Sequence, residues 1–183
     1  MGASQAMWVL AGQRQQRREH ALRIVIDDIN QRRKLVRDLG TLPAEHQAIA
    51  DQDLRKLDVR LDEASIAADQ IGLQLANIKA YKLDMTTVIK DATNLAFPGS
   101  DEHSAKIRAS AGFLWRTTSG HAHGTPSSRL TLIRVEDAVR KPDGSATAKP
   151  EPSIDRIAVA LHNAIMMTNE AWRLYDLRCQ PHS

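Results

Sequence analysis

The chain has 183 residues, enough for one domain with its own apolar core over residues 1–183. Hydrophobic residues make up 42% of the sequence but aromatic residues only 4%, so the core must consist mainly of Ala, Leu, Ile and Val, which favours a helical protein. A net charge of +3 is too small to indicate a nucleic-acid-binding protein by itself.

Cys179 is the only cysteine, which excludes an intrachain disulfide and favours a reducing compartment. No stretch approaches the roughly 18 apolar residues that a membrane helix needs. The arginines of the N-terminal region follow its apolar residues instead of preceding them, which is the reverse of a secretory signal. We therefore expect a cytoplasmic protein without a membrane span.

The first half of the chain predicts two long helices. One covers Gln13 to Leu39, and Gly40 follows it as a C-cap. The second runs from Pro43 to Ala80, because its apolar residues alternate steps of three and four. We expect the two helices to form an antiparallel hairpin. The inward residues are Leu22, Val25, Ile26, Ile29, Val36 and Leu39 in the first helix and Leu54, Leu57, Leu61, Ala64, Ala68, Ile71, Leu75 and Ile78 in the second.

Three further segments complete the predicted fold. A short helix covers Asp84 to Leu95, and Ser100 caps the next helix after the break at Pro98-Gly99. Residues 129–150 predict a β-hairpin insertion with a turn at 142–144, and the alternative is a short helix over 128–141. The last helix starts at Ser153, and its apolar residues form a second seam at steps of four and three: Ile154, Ala158, Leu161, Ile165, Thr168, Trp172 and Tyr175. The fold class is mainly α: a bundle of four to five helices with a long antiparallel helical hairpin and a small β-hairpin appendage.

The candidate catalytic residues are Arg116, Ser119, His121 and His123, which form one dense polar cluster. On a helix, Ser119 and His123 lie one turn apart, a spacing that suits a hydroxyl nucleophile and its base. The interpretation that we favour is structural: these side chains satisfy backbone groups at a helix end, and Gly124 supplies the turn. No third ligand accompanies the two histidines, so we predict neither a metal nor a cofactor.

The spacing of Arg116 and His121 resembles the Arg-x(4 to 6)-His motif of HEPN-like ribonucleases, a helical-bundle family. The pairs Arg116 with His123, Arg14 with His20, and Arg156 with His162 fit it too. The resemblance implies a cation and an acid/base imidazole beside a scissile phosphate.

An arginine-rich run opens the first long helix and offers Arg14, Arg17 and Arg18 as candidate nucleic-acid contacts. Arg23, Arg32, Arg33, Lys34 and Arg37 continue it. Acidic residues interrupt the run at helical spacing, and no aromatic residue is interleaved for stacking on bases. A solvated, salt-bridged helix face is therefore the interpretation that we favour.

Three segments of the sequence resemble a family of uncharacterised, largely helical bacterial proteins, mostly from high-GC genomes. The segments are residues 6–10, residues 115–124 with the helix end Ser119-Gly120-x-x-His123-Gly124, and residues 171–175. The resemblance implies a helical fold in which the helix end packs with the Trp-containing segments.

Two functional hypotheses follow. The first is a non-enzymatic helical protein that acts through self-association, as a homo-oligomer, or through a protein partner. The second is a nucleic-acid-directed ribonuclease or an RNA- or DNA-binding protein, which we do not favour. An exposed apolar stripe would support the first hypothesis, and a continuous basic face running toward His121 would support the second.

Overall fold

The computed structural model describes residues 2–38, 43–122, 139–144, 146–147 and 154–180. This part of the chain is mainly α, as the sequence predicts. Its helices are α1 (Gly2–Ala11), α2 (Arg14–Asp38), α3 (Ala44–Gln70), α4 (Met85–Ala96), α5 (Glu102–Ala122) and α6 (Ile154–Cys179), with a 3-10 turn at Ile78–Ala80 and two short strands, β1 (Val139–Arg140) and β2 (Ala146–Thr147).

Helices α2 and α3 form the predicted antiparallel hairpin. Ile26 and Ile29 of α2 are buried against Leu61 and Ala64 of α3. The predicted α3 stripe therefore faces α2 within the same chain. The prediction for Val25 was wrong, because its side chain is 47% exposed on the outer side of α2.

Helix α3 ends at Gln70 and not near Ala80, which corrects its predicted C-terminus. Gly72 adopts a φ of +72°, in the left-handed region where a side chain would be strained. The backbone N–H of Leu73 then donates to the Ala68 carbonyl at 2.9 Å, and that of Gly72 donates to the Asp69 carbonyl at 3.0 Å. This pair of hydrogen bonds is a Schellman motif, which stops a helix by satisfying its last carbonyls.

Helices α1, α4, α5 and α6 form the larger core. Helix α1 was not predicted from the sequence. Met7 and Trp8 of α1 are buried at 0% and 4% exposure. They belong to one core with buried residues of α4, α5 and α6, and α1 packs directly against α4 and α6. The buried partners are Leu83, Val88, Ile89, Ala92, Ala111, Met167, Ala171 and Leu174.

The N-termini of α4 and α5 are capped by aspartates. Asp84 accepts a hydrogen bond from the Thr86 backbone N–H at 3.0 Å, and Asp101 accepts one from that of Ser104 at 2.9 Å. Ser100 was predicted to cap α5, and this was wrong by one residue. The Asp101 carboxylate reaches both the backbone N–H and the hydroxyl of Ser104, which satisfies a free donor of the first turn.

The Asp101 cap makes part of the stability depend on pH. Hydrogen bonds from the side chain and the backbone of Ser104 lower the pKa of Asp101 from its ordinary value. A lowered folded-state pKa stabilises the protein above the unfolded-state pKa, and this contribution is lost as the pH falls through the folded-state value.

We expect Asp101→Ala to lower the Tm at neutral pH, and the difference from the parent to shrink below about pH 4. Thermal melts over a pH series test this. Ser100→Ala is the control, and an equal loss in both variants would contradict the assignment.

Helix α6 packs one face against the core and leaves the predicted apolar seam on its other side. Its buried residues are Asn163, Met167, Ala171 and Leu174. Leu161, Ile165, Trp172 and Tyr175, which belong to the predicted seam with Ala158 and Thr168, are 59%, 49%, 62% and 50% exposed. The side chain of Ile154 lies outside the described residues. The face that packs includes Ala171, and a small side chain lets α6 approach α1 closely.

The strands β1 and β2 form an antiparallel pair, with Val139 opposite Thr147 and Arg140 opposite Ala146. Gly144, with a φ of +82°, lies in the connecting turn, as the predicted turn at 142–144 requires. Residues 129–138, 145 and 148–150 of the predicted β-hairpin insertion lie outside the described residues. Every helix in the described part of the chain is too short or too polar to cross a membrane.

Candidate interaction surface

The polar cluster predicted on α5 is only partly described. Arg116 is exposed and Ser119 is half-buried, both in the last turns of α5. His121 belongs to the same helix, but its side chain lies outside the described part, as does the whole of His123. The site formed by these four residues therefore stays a prediction.

The hydroxyls next to this cluster have structural partners. Thr117 donates to the Phe113 carbonyl at 3.0 Å, and Thr118 donates to the Leu114 carbonyl at 2.8 Å. Each hydroxyl proton is thus bound to the preceding turn of α5, a common arrangement for threonine in a helix. Neither proton is directed toward a histidine.

Of the other arginine–histidine pairs, Arg14 with His20 is described by the structure, and its histidine has a packing role. His20 stacks on Trp8 with ring centroids 3.9 Å apart, and its Nδ1 lies 2.7 Å from the Trp8 carbonyl oxygen. This imidazole joins α2 to α1. His162 is exposed on α6, and the side chain of Arg156 lies outside the described residues.

The arginine-rich run on α2 divides into structural and solvent-facing members. Arg33, at 6% exposure, forms an ion pair with Asp58 of α3 at 2.7 Å. Arg23 lies over the Tyr81 ring at 5.8 Å, and Arg32 pairs with Asp28 at 2.9 Å. Arg33 joins α2 to α3, Arg23 joins α2 to the segment after α3, and Arg32 is paired within α2 itself, so the run is not a continuous row of unpaired cations.

The candidate residues Arg14, Arg17 and Arg18 lie in the first turns of α2. They follow the junction of α1 and α2 at Gly12 and Gln13, which we call the α1–α2 elbow. Arg14 and Arg18 are exposed, whereas Arg17 is half-buried and donates through Nη1 to the Gly12 carbonyl at 3.0 Å. Arg178 from the end of α6 donates through Nε to the Leu10 carbonyl at 3.3 Å. Sequence analysis missed Arg178, because no local pattern connects the two ends of the chain.

The most distinctive surface of the molecule is the outer face of α6. Leu161, Ile165, Thr168, Trp172 and Tyr175 follow one another at steps of four, three, four and three residues, and we call this set the α6 stripe. Its four large members are each about half exposed or more, and Trp172 meets Tyr175 edge to face with ring centroids 5.9 Å apart. The exposed Ala158 and Cys179 extend the same spacing at either end.

A polar contact fixes the rotation that leaves the α6 stripe outside. Ser110 of α5 donates a hydrogen bond to Asn163 at 2.9 Å, and Asn163 donates to the Val159 carbonyl at 2.9 Å. Asn163 is only 9% exposed. Rotating α6 to bury the stripe would carry this amide out of contact with Ser110 and separate Met167 and Leu174 from the core. The exposed position of the stripe is therefore set by the packing on the other side of the helix.

Among the described residues, no group of three or more His, Cys, Asp or Glu side chains is placed to hold a metal ion. Comparison with protein-family models, with curated proteins and with solved structures gives no match to this chain.

Proposed function

We propose that this chain is a non-enzymatic interaction protein that associates with a second copy of itself through the α6 stripe. The observation that carries the proposal is the exposure of Leu161, Ile165, Trp172 and Tyr175 along one face of one helix. Single exposed apolar residues are ordinary, whereas a contiguous row of them is typical of an interaction site.

The spacing of the stripe favours a helical partner. Apolar residues at alternating steps of three and four keep one seam in line along a helix, and two such seams pack as knobs into holes. From Ala158 to Cys179 the pattern covers about 30 Å at 1.5 Å per residue. A second helix with the same spacing therefore fits its whole length.

The flanks of the stripe favour an identical partner. Ala164, Asn169 and His162 border the stripe and Asp176 adjoins its C-terminal end, so two identical faces in antiparallel orientation bring few like charges together. A two-fold axis would place the same side chains on both sides of the seam, as in most soluble homodimers. The face is small compared with the roughly 800 Å² per partner of a standard interface, so we expect a dissociation constant of micromolar order.

Two matched substitutions test this proposal. Ile165→Asp places a charge in the middle of the seam, and we expect it to weaken association about a hundredfold, because an unpaired buried charge costs several kcal/mol. Ile66→Asp is the control, since Ile66 is 59% exposed on α3 and lies far from α6 in sequence. Light scattering over a concentration series measures both variants, and thermal melting checks that each one folds.

The proposal predicts that Ile165→Asp is monomeric and folded, while Ile66→Asp associates like the parent. Unchanged association of Ile165→Asp would contradict it, and so would equal losses in the two variants.

The exposed thiol of Cys179 suits a reducing compartment, and we propose a cytoplasmic location on that basis.

A further inference from the structure

The elbow between α1 and α2 brings together arginines from both ends of the chain. Arg17 binds the Gly12 carbonyl at 3.0 Å, and Arg178 binds the Leu10 carbonyl at 3.3 Å. These carbonyls are two residues apart, so the two guanidiniums are held beside each other. Arg14 lies one helical turn before Arg17, on the same side of α2.

This arginine group has no direct ion-pair partner among the described residues. No Asp or Glu in the part of the chain that the structure describes forms an ion pair with Arg14, Arg17 or Arg178, and the nearby Glu19 accepts its hydrogen bond from Gln15. The pKa of Arg17 is lowered from its ordinary value. The largest cause is burial, followed by the positive charges of Arg178 and Arg14. Like charges held together in this way produce a positive potential that an anion would relieve.

We propose that the α1–α2 elbow binds a phosphate group through Arg14, Arg17 and Arg178. A guanidinium has five N–H donors, and the contacts to Gly12 and Leu10 each use one on Arg17 and Arg178. The remaining donors match the oxygens of a phosphate, which arginine binds through paired, charge-assisted hydrogen bonds. The two carbonyl contacts hold Arg17 and Arg178 in position before the ligand arrives, which lowers the entropy cost of binding.

The arrangement favours a small phosphorylated molecule over a nucleic acid. Arg14 and Arg178 both lie close to Arg17 in one small patch, whereas a nucleic-acid strand needs a basic groove that follows its backbone. Further along α2, Arg32 is paired with Asp28, and Arg33 is buried with Asp58. Trp8, two residues before the Leu10 carbonyl that Arg178 binds, is 4% exposed and stacked on His20, so it offers no surface to a base.

Calorimetric titration with inorganic phosphate and with pyrophosphate tests the proposal. We expect both to bind in low-salt buffer, and pyrophosphate to bind more tightly because it carries more charge. Arg14→Gln and Arg178→Gln should each weaken binding about tenfold, the loss of roughly one charge-assisted hydrogen bond. Arg55→Gln is the matched control, because Arg55 is an exposed arginine on α3, and it should bind like the parent.

Arg14 has an exposed side chain, so Arg14→Gln should keep the parent's Tm and isolates the effect of charge. Phosphate binding that is undetectable, or equal in Arg14→Gln and Arg55→Gln, would overturn the proposal. A single-stranded RNA oligonucleotide forms a further arm of the test. If RNA binds more tightly than pyrophosphate, with a steep dependence on salt, the elbow is a nucleic-acid site and the proposal of a small phosphorylated ligand is wrong.

Discussion

Leu61→Asp is expected to unfold the α2–α3 hairpin or to lower its stability by about 3–5 kcal/mol, a large part of the total stability of a typical domain. Leu61 is 1% exposed and packs against Ile26 and Ile29 of α2. A carboxylate at this position would lose its water without gaining a partner. Loss of the cooperative melt, or a much lower Tm in circular dichroism, is the expected observation.

Val59→Asp is the control for this substitution. Val59 lies two residues earlier on α3, but its side chain is 58% exposed, so the new carboxylate stays hydrated. Leu61→Asp should therefore be far less stable than Val59→Asp. Equal melting temperatures would show that the α3 stripe does not face α2.

Trp8→Ala should cost about 3–5 kcal/mol, the range measured when a large aromatic side chain is removed from a core. Trp8 is 4% exposed, belongs to the core formed by α1, α4, α5 and α6, and stacks on His20. Its loss would leave a cavity where α1 meets α2. Denaturant unfolding monitored by circular dichroism measures the change, since this signal does not depend on tryptophan fluorescence.

Trp172→Ala removes the same side chain from an exposed position and is the matched control. Trp172 is 62% exposed, so its removal should leave unfolding of the monomer almost unchanged. The same variant should weaken association, because Trp172 belongs to the α6 stripe. A large loss of monomer stability in Trp172→Ala would mean that the stripe is buried within its own chain.

The hairpin could be predicted from the sequence because its helices carry a strong contrast between apolar and polar faces. Ile26, Ile29, Leu61 and Ala64 repeat at helical spacing among charged residues, and they meet in the structure. The end of α3 was harder to predict. The apolar spacing continues through Leu75 and Ile78, and only the left-handed conformation of Gly72 ends the helix.

The rotation of α6 could not be read from periodicity. The helix carries two apolar stripes at similar spacing, one through Leu161, Ile165 and Trp172 and the other through Met167 and Leu174. The first contains the larger side chains, and periodicity alone does not decide which of the two is buried. The choice depends on tertiary contacts with α1 and on the hydrogen bond between Ser110 and Asn163, neither of which has a signature within α6.

The candidate sites show the same division between local and long-range information. Arg14 and Arg17 could be identified as a cationic group from their spacing on α2. Arg178 could not, because it reaches the Leu10 carbonyl across 168 positions of sequence. Arg33 had the same local pattern as its exposed neighbours, yet Asp58 of α3 makes it a buried structural residue.

The measurement that tests the central claim most directly is sedimentation equilibrium of the unaltered chain over a concentration series. If two copies associate through the α6 stripe, the mass should rise from 20.3 kDa at low concentration toward twice that value at about 100 μM, well above a micromolar dissociation constant. A mass that stays at 20.3 kDa over the whole series would contradict self-association.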